Sequence, residues 1–329
     1  MLNPKQEFCL FDSSGKAIGV IAPSIFHALV DGKTVIDGPA GSFQISEQTP
    51  LALEQGLRLA GALIPGSPDE VKAVSDLLHD PATSRTTSFF LCKAKTCADL
   101  LNDMRIIKSS KVFVIGCGGI GSSLALLLAG SGIKNLTLAD ADIIESSNLN
   151  RQLFWRKKDI GRAKTDTLQR EINDRFEDIK TKTIRAELSY NEIIELSKSN
   201  HFSAIAITAD NPPTLVSRAK EIAATLKIPV VSGGYLHSHC TAYFFSGKDN
   251  LHTIADAPCA TPWQRLPHAI MPSFGPLNFN ISALLASGIL TSIATNSFGE
   301  QRSHYIEWNA AQSPLEYATH YFEETQEVV

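Results

Sequence analysis

Between Val112 and Lys164 the chain carries, in order, a glycine-rich turn, a carboxylate, and a set of amide and cationic side chains. Together they suit a nucleoside triphosphate. Gly116-x-Gly118-x-x-Gly121 follows the apolar run Val112-Phe-Val-Ile115. The glycines let the backbone turn tightly and approach a phosphate, and a helix opening near Ile120 offers its unpaired N–H groups to the anion. Such a loop alone marks many nucleotide-binding β–α–β units. Asp140, ending the next apolar run Leu136-Thr-Leu-Ala139, suits a ribose hydroxyl pair. Asn148-x-Asn150-Arg151-Gln152 and Gly161-Arg-Ala-Lys164 follow. An Arg and a Lys at this place suit a triphosphate, whereas a plain dinucleotide dehydrogenase has no need of them.

Further on, Asp210 in Thr208-Ala-Asp-Asn211 offers a hard oxygen ligand for Mg²⁺. Asp210-Asn211-Pro212 also reads as a strand-ending turn, which such a tripeptide favours. Cys117 reads as a small buried residue of the glycine loop. Cys259, in Ala257-Pro-Cys-Ala-Thr-Pro262, has no adjacent base to activate it.

Alternating elements must hold these residues. Strands are expected over Lys111–Ile115, Asn135–Ala139, Lys182–Ala186, Ala204–Thr208 and Ile228–Ser232, with Tyr243–Phe245 as a possible addition. Helices are expected over Ile120–Ala129, Arg162–Phe176, Asn191–Lys198, Thr214–Leu226 and from Gly275-Pro276 through Ile281–Ala294. The alternation implies an α/β fold, a doubly wound and mostly parallel sheet with helices on both faces. A long loop is expected at about 249–272. Ahead of Pro81 the pattern changes. A hairpin (Glu7–Phe11, Ala17–Ile21) precedes a short helix over Pro23–Val30, a helix over Leu51–Leu63, and another capped by Ser67 that runs to about His79. This is the outline of a small winged-helix-like α+β module, residues 1–82, ahead of a larger domain, residues 83–329.

The run from Lys111 to Lys164, with Thr208-Ala-Asp-Asn211, resembles the E1-like adenylating (ThiF/MoeB/MccB) family. The resemblance extends from about Ser84 to about Gly288. It implies a Rossmann-like adenylation fold in which Gly116, Gly118, Gly119, Gly121 and Asp142 belong to the nucleotide site and Asp140 holds the ribose. It further implies that Asn148, Arg151, Gln152 and Lys164 bind phosphates, and that Asp210, beside Asn211, holds Mg²⁺. Arg85 would reach the partner's site in a homodimer, and the 249–272 loop would cross over the acyl-adenylate. The N-terminal module points to the branch that matures peptide antibiotics, where such a module clamps the leader of a ribosomal precursor peptide by strand addition. Within that branch, activation of a glutamate side chain is preferred over modification of the peptide's C-terminus. The alternatives are activation of a sulfur-carrier protein's C-terminal glycine and an NAD-dependent oxidoreductase.

Composition fits this reading. The 329 residues suggest two units, and 43% hydrophobic residues allow a sizeable core. A net charge of −4 without a Lys/Arg stripe argues against a nucleic-acid partner. No apolar run reaches about 18 residues and no signal peptide is visible, so a cytoplasmic, membrane-free protein is expected. The six cysteines (9, 92, 97, 117, 240 and 259) form no Cys-x-x-Cys, so no structural zinc is expected. His237-Ser-His239-Cys240 would place two histidines on one strand face, with Cys240 pointing away.

Overall fold

The computed structural model describes residues 8–45, 49–210, 215–249 and 272–322. Asn211, Cys259 and nearly all of the expected 249–272 loop lie outside the described residues. The chain divides into two compact units, residues 1–107 with 294–299 and residues 108–293 with 300–329. The first unit therefore reaches past the expected 82/83 boundary, because two further helices belong to it.

In the first unit, β1 (Cys9–Phe11) and β2 (Ala17–Ile21) form the expected hairpin. The segment expected as a helix over Pro23–Val30 is instead a strand, β3 (Phe26–Val30), hairpinned to β4 (Lys33–Gly38). The reason is Asp31-Gly32, whose φ values of 49° and 77° make the two-residue turn whose twist suits a hairpin. β5 (Gly41–Ile45) completes a three-stranded antiparallel sheet. α1 (Pro50–Leu59) starts where the Thr49 hydroxyl accepts the Ala52 N–H. It stops earlier than expected, since Gly61 at φ 64° closes it and Ala62 N–H returns to Leu57 O. The chain then extends as β6 (Leu63–Pro65), which pairs with β2. α2 (Pro68–His79) carries the capping box read from Ser67 and Glu70. α3 (Ser84–Leu91) and α4 (Cys97–Ser109) follow. Ile36, Ile45, Leu57 and Leu63 form the core beneath the wing and α1.

In the second unit β7 (Lys111–Ile115) leads through the glycine loop into α5 (Gly119–Gly130) and β8 (Asn135–Ala139). Next come α6 (Lys164–Arg175), β9 (Lys180–Ile184), α7 (Tyr190–Asn200), β10 (Ala204–Ile207), α8 (Ala219–Leu226), β11 (Val230–Leu236) and β12 (His239–Phe245). α9 (Gly275–Ile293), β13 (His304–Asn309) and β14 (Ala318–Tyr321) complete it. The sheet order is β14-β13-β12-β11-β10-β7-β8-β9. The pairs from β11 to β9 are parallel, and those from β11 to β14 are antiparallel. This is the expected mostly parallel α/β sheet, lengthened by an antiparallel meander whose last two strands were not foreseen.

Along β7, Phe113 and Ile115 join the cluster made with α7 and α8, so Val112 and Val114 point to the opposite face. α5 and α9 pack on each other. By length and composition α9 is the one described helix apolar enough to cross a membrane, at a mean hydropathy of 1.3. Its Ser282 hydroxyl donates to Ile120 O at 2.7 Å, and it contacts β11 and β12, as a core helix does.

Several boundaries shift. β9 lies two residues earlier than expected because Lys180 pairs with Asn135 and Ile184 with Ala139. β11 continues through Gly233-Gly234, which pair with Ala242 and Thr241. α8 starts at Ala219, after turns at 215–218. His237 and His239 do not share a strand face: His237 sits in the β11–β12 turn at φ 56°, His239 opens β12, and Cys240 is buried.

Candidate functional site

Chain order reverses between β7 and β10, and the crevice outside their carboxyl ends is where open α/β sheets bind ligands. The glycine loop lies there. A side chain at Gly116, whose φ is 91°, would run into the Thr208–Ala209 backbone, and one at Gly121 into Gly116 O. Thr208 closes the loop from below, its hydroxyl donating to Gly116 O at 2.7 Å. Gly118 differs: beyond its Cβ position only the Gln152 amide nitrogen comes within 4 Å, at 3.9 Å. Two glycines thus allow close packing, and Gly118 leaves room above the α5 N-terminus. That is a cradle for an anion.

Asp140 sits beside it. One carboxylate oxygen accepts Cys117 N–H at 2.6 Å and the other accepts Asp142 N–H at 2.7 Å, fixing the group at the end of β8. Burial pushes its pKa above the ordinary value, and the Lys164 ammonium pulls in the opposite direction. Cys117 is fully buried, and burial followed by the Asp140 charge raises its pKa well above the thiol value. It is therefore a neutral thiol, in keeping with a packing role.

Lys164 is the first residue of α6. Its side chain is 9% exposed and pairs at 2.7 Å with Asp142, which is 68% exposed. Lys164 N–H also donates to Asp142 O at 3.0 Å, and Ile143 bridges to Ala163, so the Asp140 and Lys164 segments are stitched together. Asn148 is buried, its side-chain oxygen accepting Glu145 N–H at 3.1 Å. The Arg151 guanidinium donates to Ser147 O at 2.5 Å and to the Asn150 side chain at 3.1 Å. Gln152 is buried, and its Oε1 accepts the Trp155 indole N–H at 2.6 Å. An indole N–H can only donate, so the Gln152 atom facing it must be oxygen, which turns the amide N–H₂ toward Gly118.

These residues line one open cleft that includes Gly118, Gly119, Asp142, Asn148, Arg151, Gln152, Lys164 and Asp210. A second cavity shares Gly118, Asp142, Lys164 and Asp210 with it and adds Asp140, Ala186 and Leu188. The arrangement offers a half-apolar recess with a carboxylate at one end and helix N–H groups, amides and cations at the other. Asp210 is exposed and has no ion-pair partner among the described residues, leaving its carboxylate free for a hard cation. No group of three or more His, Cys, Asp or Glu gathers as metal ligands among the described residues. Arg85 belongs to the first unit, exposed on α3, and is not among the cleft-lining residues.

Sequence reading missed part of the cleft. Gly234, Tyr235, Ser273 and Asn278 line it from the end of β11 and the start of α9, and Trp155 acts behind Gln152. The only sequence signals were Gly233-Gly234 after an apolar strand and the Gly275-Pro276 helix start.

Fold and site together define a Rossmann-like α/β protein with a glycine-loop anion cradle. Residues 98–324 match the ThiF family. The chain belongs to the ThiF family of E1-like adenylating proteins. Among curated relatives, Adenylyltransferase and sulfurtransferase uba4 of Aspergillus clavatus is 35% identical over 137 residues, 40% of this chain and 26% of that protein. Adenylyltransferase and sulfurtransferase MOCS3 of Aedes aegypti is 30% identical over 143 residues, 43% of this chain and 32% of that protein. The chain thus spans about a quarter to a third of the length of these relatives. Escherichia coli MccB solved with ATP has the same fold, with a TM-score of 0.70 at 19% identity over 94% of this chain and 98% of that one. PaaA is similar at a TM-score of 0.61 and 20% identity, covering 91% of this chain and 99% of that chain.

Proposed function

We propose that the protein is an ATP- and Mg²⁺-dependent enzyme that adenylates a carboxyl group of a ribosomally made precursor peptide, on the way to a peptide antibiotic. The observation that carries the ATP half is the meeting of an open Gly118, Asp140, Arg151 and nearly buried Lys164 in connected cavities. In this reading Asp140 holds the ribose and Gly116, Gly118, Gly119 and Gly121 shape the loop under the phosphates. Asn148, Arg151, Gln152 and Lys164, with Asp142 as its partner, hold the phosphates. Asp210 takes Mg²⁺, with Asn211 beside it. The ion neutralises phosphate charge when bound. The acceptor displaces pyrophosphate from the α-phosphate to form a mixed anhydride, a step governed by positioning and charge neutralisation.

The peptide half is supported by fold. The likeness to MccB, solved as a microcin C7 biosynthetic enzyme with N-formylated MccA, spans 94% of the chain and so takes in the N-terminal unit. The curated adenylyltransferases align over only 40–43%. Residues 1–82 would then clamp the leader, the crossover loop would cover the adenylate, and Arg85 would complete the partner's site in a homodimer. A glutamate side chain is the preferred target over the peptide C-terminus. The protein would work in the cytoplasm without structural zinc, nucleic acid or membrane. The second reading, adenylation of a sulfur-carrier protein, draws on the names of the curated relatives.

Thermal shift tests the nucleotide class. ATP with Mg²⁺ at a hundred times its Kd should stabilise the protein by about 2.7 kcal/mol. An equal or larger response to NAD would return the site to an oxidoreductase.

A further inference from the structure

The cleft has two chemically distinct walls. The segment 148–164 presents Arg151, Lys164 and the Gln152 amide. The opposite wall, from the end of β11 and the start of α9, presents Gly234, Tyr235, Ser273 and Asn278 and no charged side chain among its described residues. Tyr235 is pinned there because its hydroxyl oxygen accepts Phe274 N–H at 2.7 Å. Its own proton points to Asn278 Oδ1 at 3.1 Å or Ser273 Oγ at 3.3 Å. Asn278, 3% exposed, donates to Ser273 Oγ at 3.3 Å and packs its amide against Gly119, where α5 begins. The Ser282–Ile120 bond holds α9 to that turn. Gly234 leaves an open slot, since a Cβ there would meet nothing within 4 Å.

Displacement at a phosphorus is in line, so the attacking atom stands opposite the leaving group. The leaving pyrophosphate is a polyanion and belongs at the cationic wall. The attacker must then come from the uncharged one. We propose that Gly234, Tyr235, Ser273 and Asn278 form the acceptor subsite, which takes a carboxylate carried on an unbranched chain. This rests on the adenylation reading above. One carboxylate oxygen bonds to the α-phosphorus, the bond from that phosphorus to the bridging oxygen breaks, and pyrophosphate leaves with the electron pair. No proton moves in the step. The Ser273 hydroxyl, held by Tyr235 and Asn278, is left to donate to the second carboxylate oxygen, without the charge of an Arg or Lys, which would hold the attacking oxygen as an ion pair.

The experiment compares two stable mimics of the adenylate by calorimetric titration. These are 5′-O-sulfamoyladenosine and its N-acylated form bearing a 4-acetamidobutanoyl chain, the length of an acylated glutamate side chain. The quantity read is the ratio of their affinities, which cancels any loss of folded protein. The acyl chain should tighten binding to the unaltered protein at least about tenfold. Gly234→Val, which fills the slot at a position without backbone strain, should cut that gain to within about twofold, and Tyr235→Phe should cut it about fivefold. No gain from the acyl chain, or a gain that both variants retain, overturns the subsite and leaves adenylation standing. Failure of both compounds to bind the unaltered protein overturns the adenylation reading and the subsite with it.

Discussion

The two walls of the cleft are built from the chain in opposite ways. The cationic wall comes from one continuous stretch, Asn148 to Lys164, whose far end is tied back to the segment after β8 by the Asp142–Lys164 pair and the Ile143–Ala163 bridge. The uncharged wall joins Tyr235 on β11 to Asn278 on α9, residues far apart in sequence that meet through one hydroxyl. A local wall leaves a motif that can be read from spacing. An assembled wall leaves none, because only the fold brings its members together. The contrast also separates tasks: charge on the local side suits the leaving phosphates, and neutral donors on the assembled side suit an acceptor.

The largest effect should come from the local wall. Lys164→Met should lower pyrophosphate release about a thousandfold, the scale of losing one preorganised charge-stabilising group. Asp142 is largely exposed, and Asp140, which also loses the Lys164 charge, keeps its two backbone N–H donors, so the variant should keep its circular dichroism. A folded variant within tenfold of the parent would place the charge stabilisation elsewhere. Asp210→Asn should cost about a hundredfold in the same assay, and near-normal turnover would make Asp210 a turn residue only.

Smaller effects sharpen the picture. Trp155→Phe removes the donor that orients Gln152, and should weaken ATP·Mg²⁺ about fivefold while leaving adenosine binding alone. Equal losses for both ligands would mean that Trp155 serves the fold and not the phosphates. The smallest is a pH effect. Because burial raises the folded-state pKa of Asp140, its protonated form favours the fold. That stabilisation is complete below the ordinary value of 3.8 and is lost as pH rises through the folded value. Adenosine, which uses the ionised carboxylate, should conversely bind more weakly as pH falls through that value. A pH-independent affinity would remove Asp140 from the ribose.

Much of the second unit was legible because its signals are local. β7 and β8 fall where apolar runs end at Gly116 and Asp140, and α5 starts at the glycine loop. The register of β9 was not legible, since pairing with β8 decides it and Thr-Lys alternation does not. In the first unit Phe26-His-Ala-Leu-Val30 misled, because five residues that fit either a helix or a strand were decided by the Asp31-Gly32 turn after them. The β13–β14 meander was missed because its short strands, His-Tyr-Ile-Glu-Trp-Asn and Ala-Thr-His-Tyr, mix polar and aromatic residues without a clean apolar alternation on a half-exposed sheet end. Gly234, Tyr235 and Asn278 were missed because Gly233-Gly234 and the Gly275-Pro276 helix start are weak signals that become a wall only when β11 and α9 meet.

The roles proposed for this cleft all require that ATP be cleaved there at its α-phosphate. Phosphorus NMR of ATP·Mg²⁺ turned over by the protein with glutamate-containing precursor peptides tests it directly. The expected products are AMP and pyrophosphate, both lost in Lys164→Met. Formation of ADP and inorganic phosphate would contradict it.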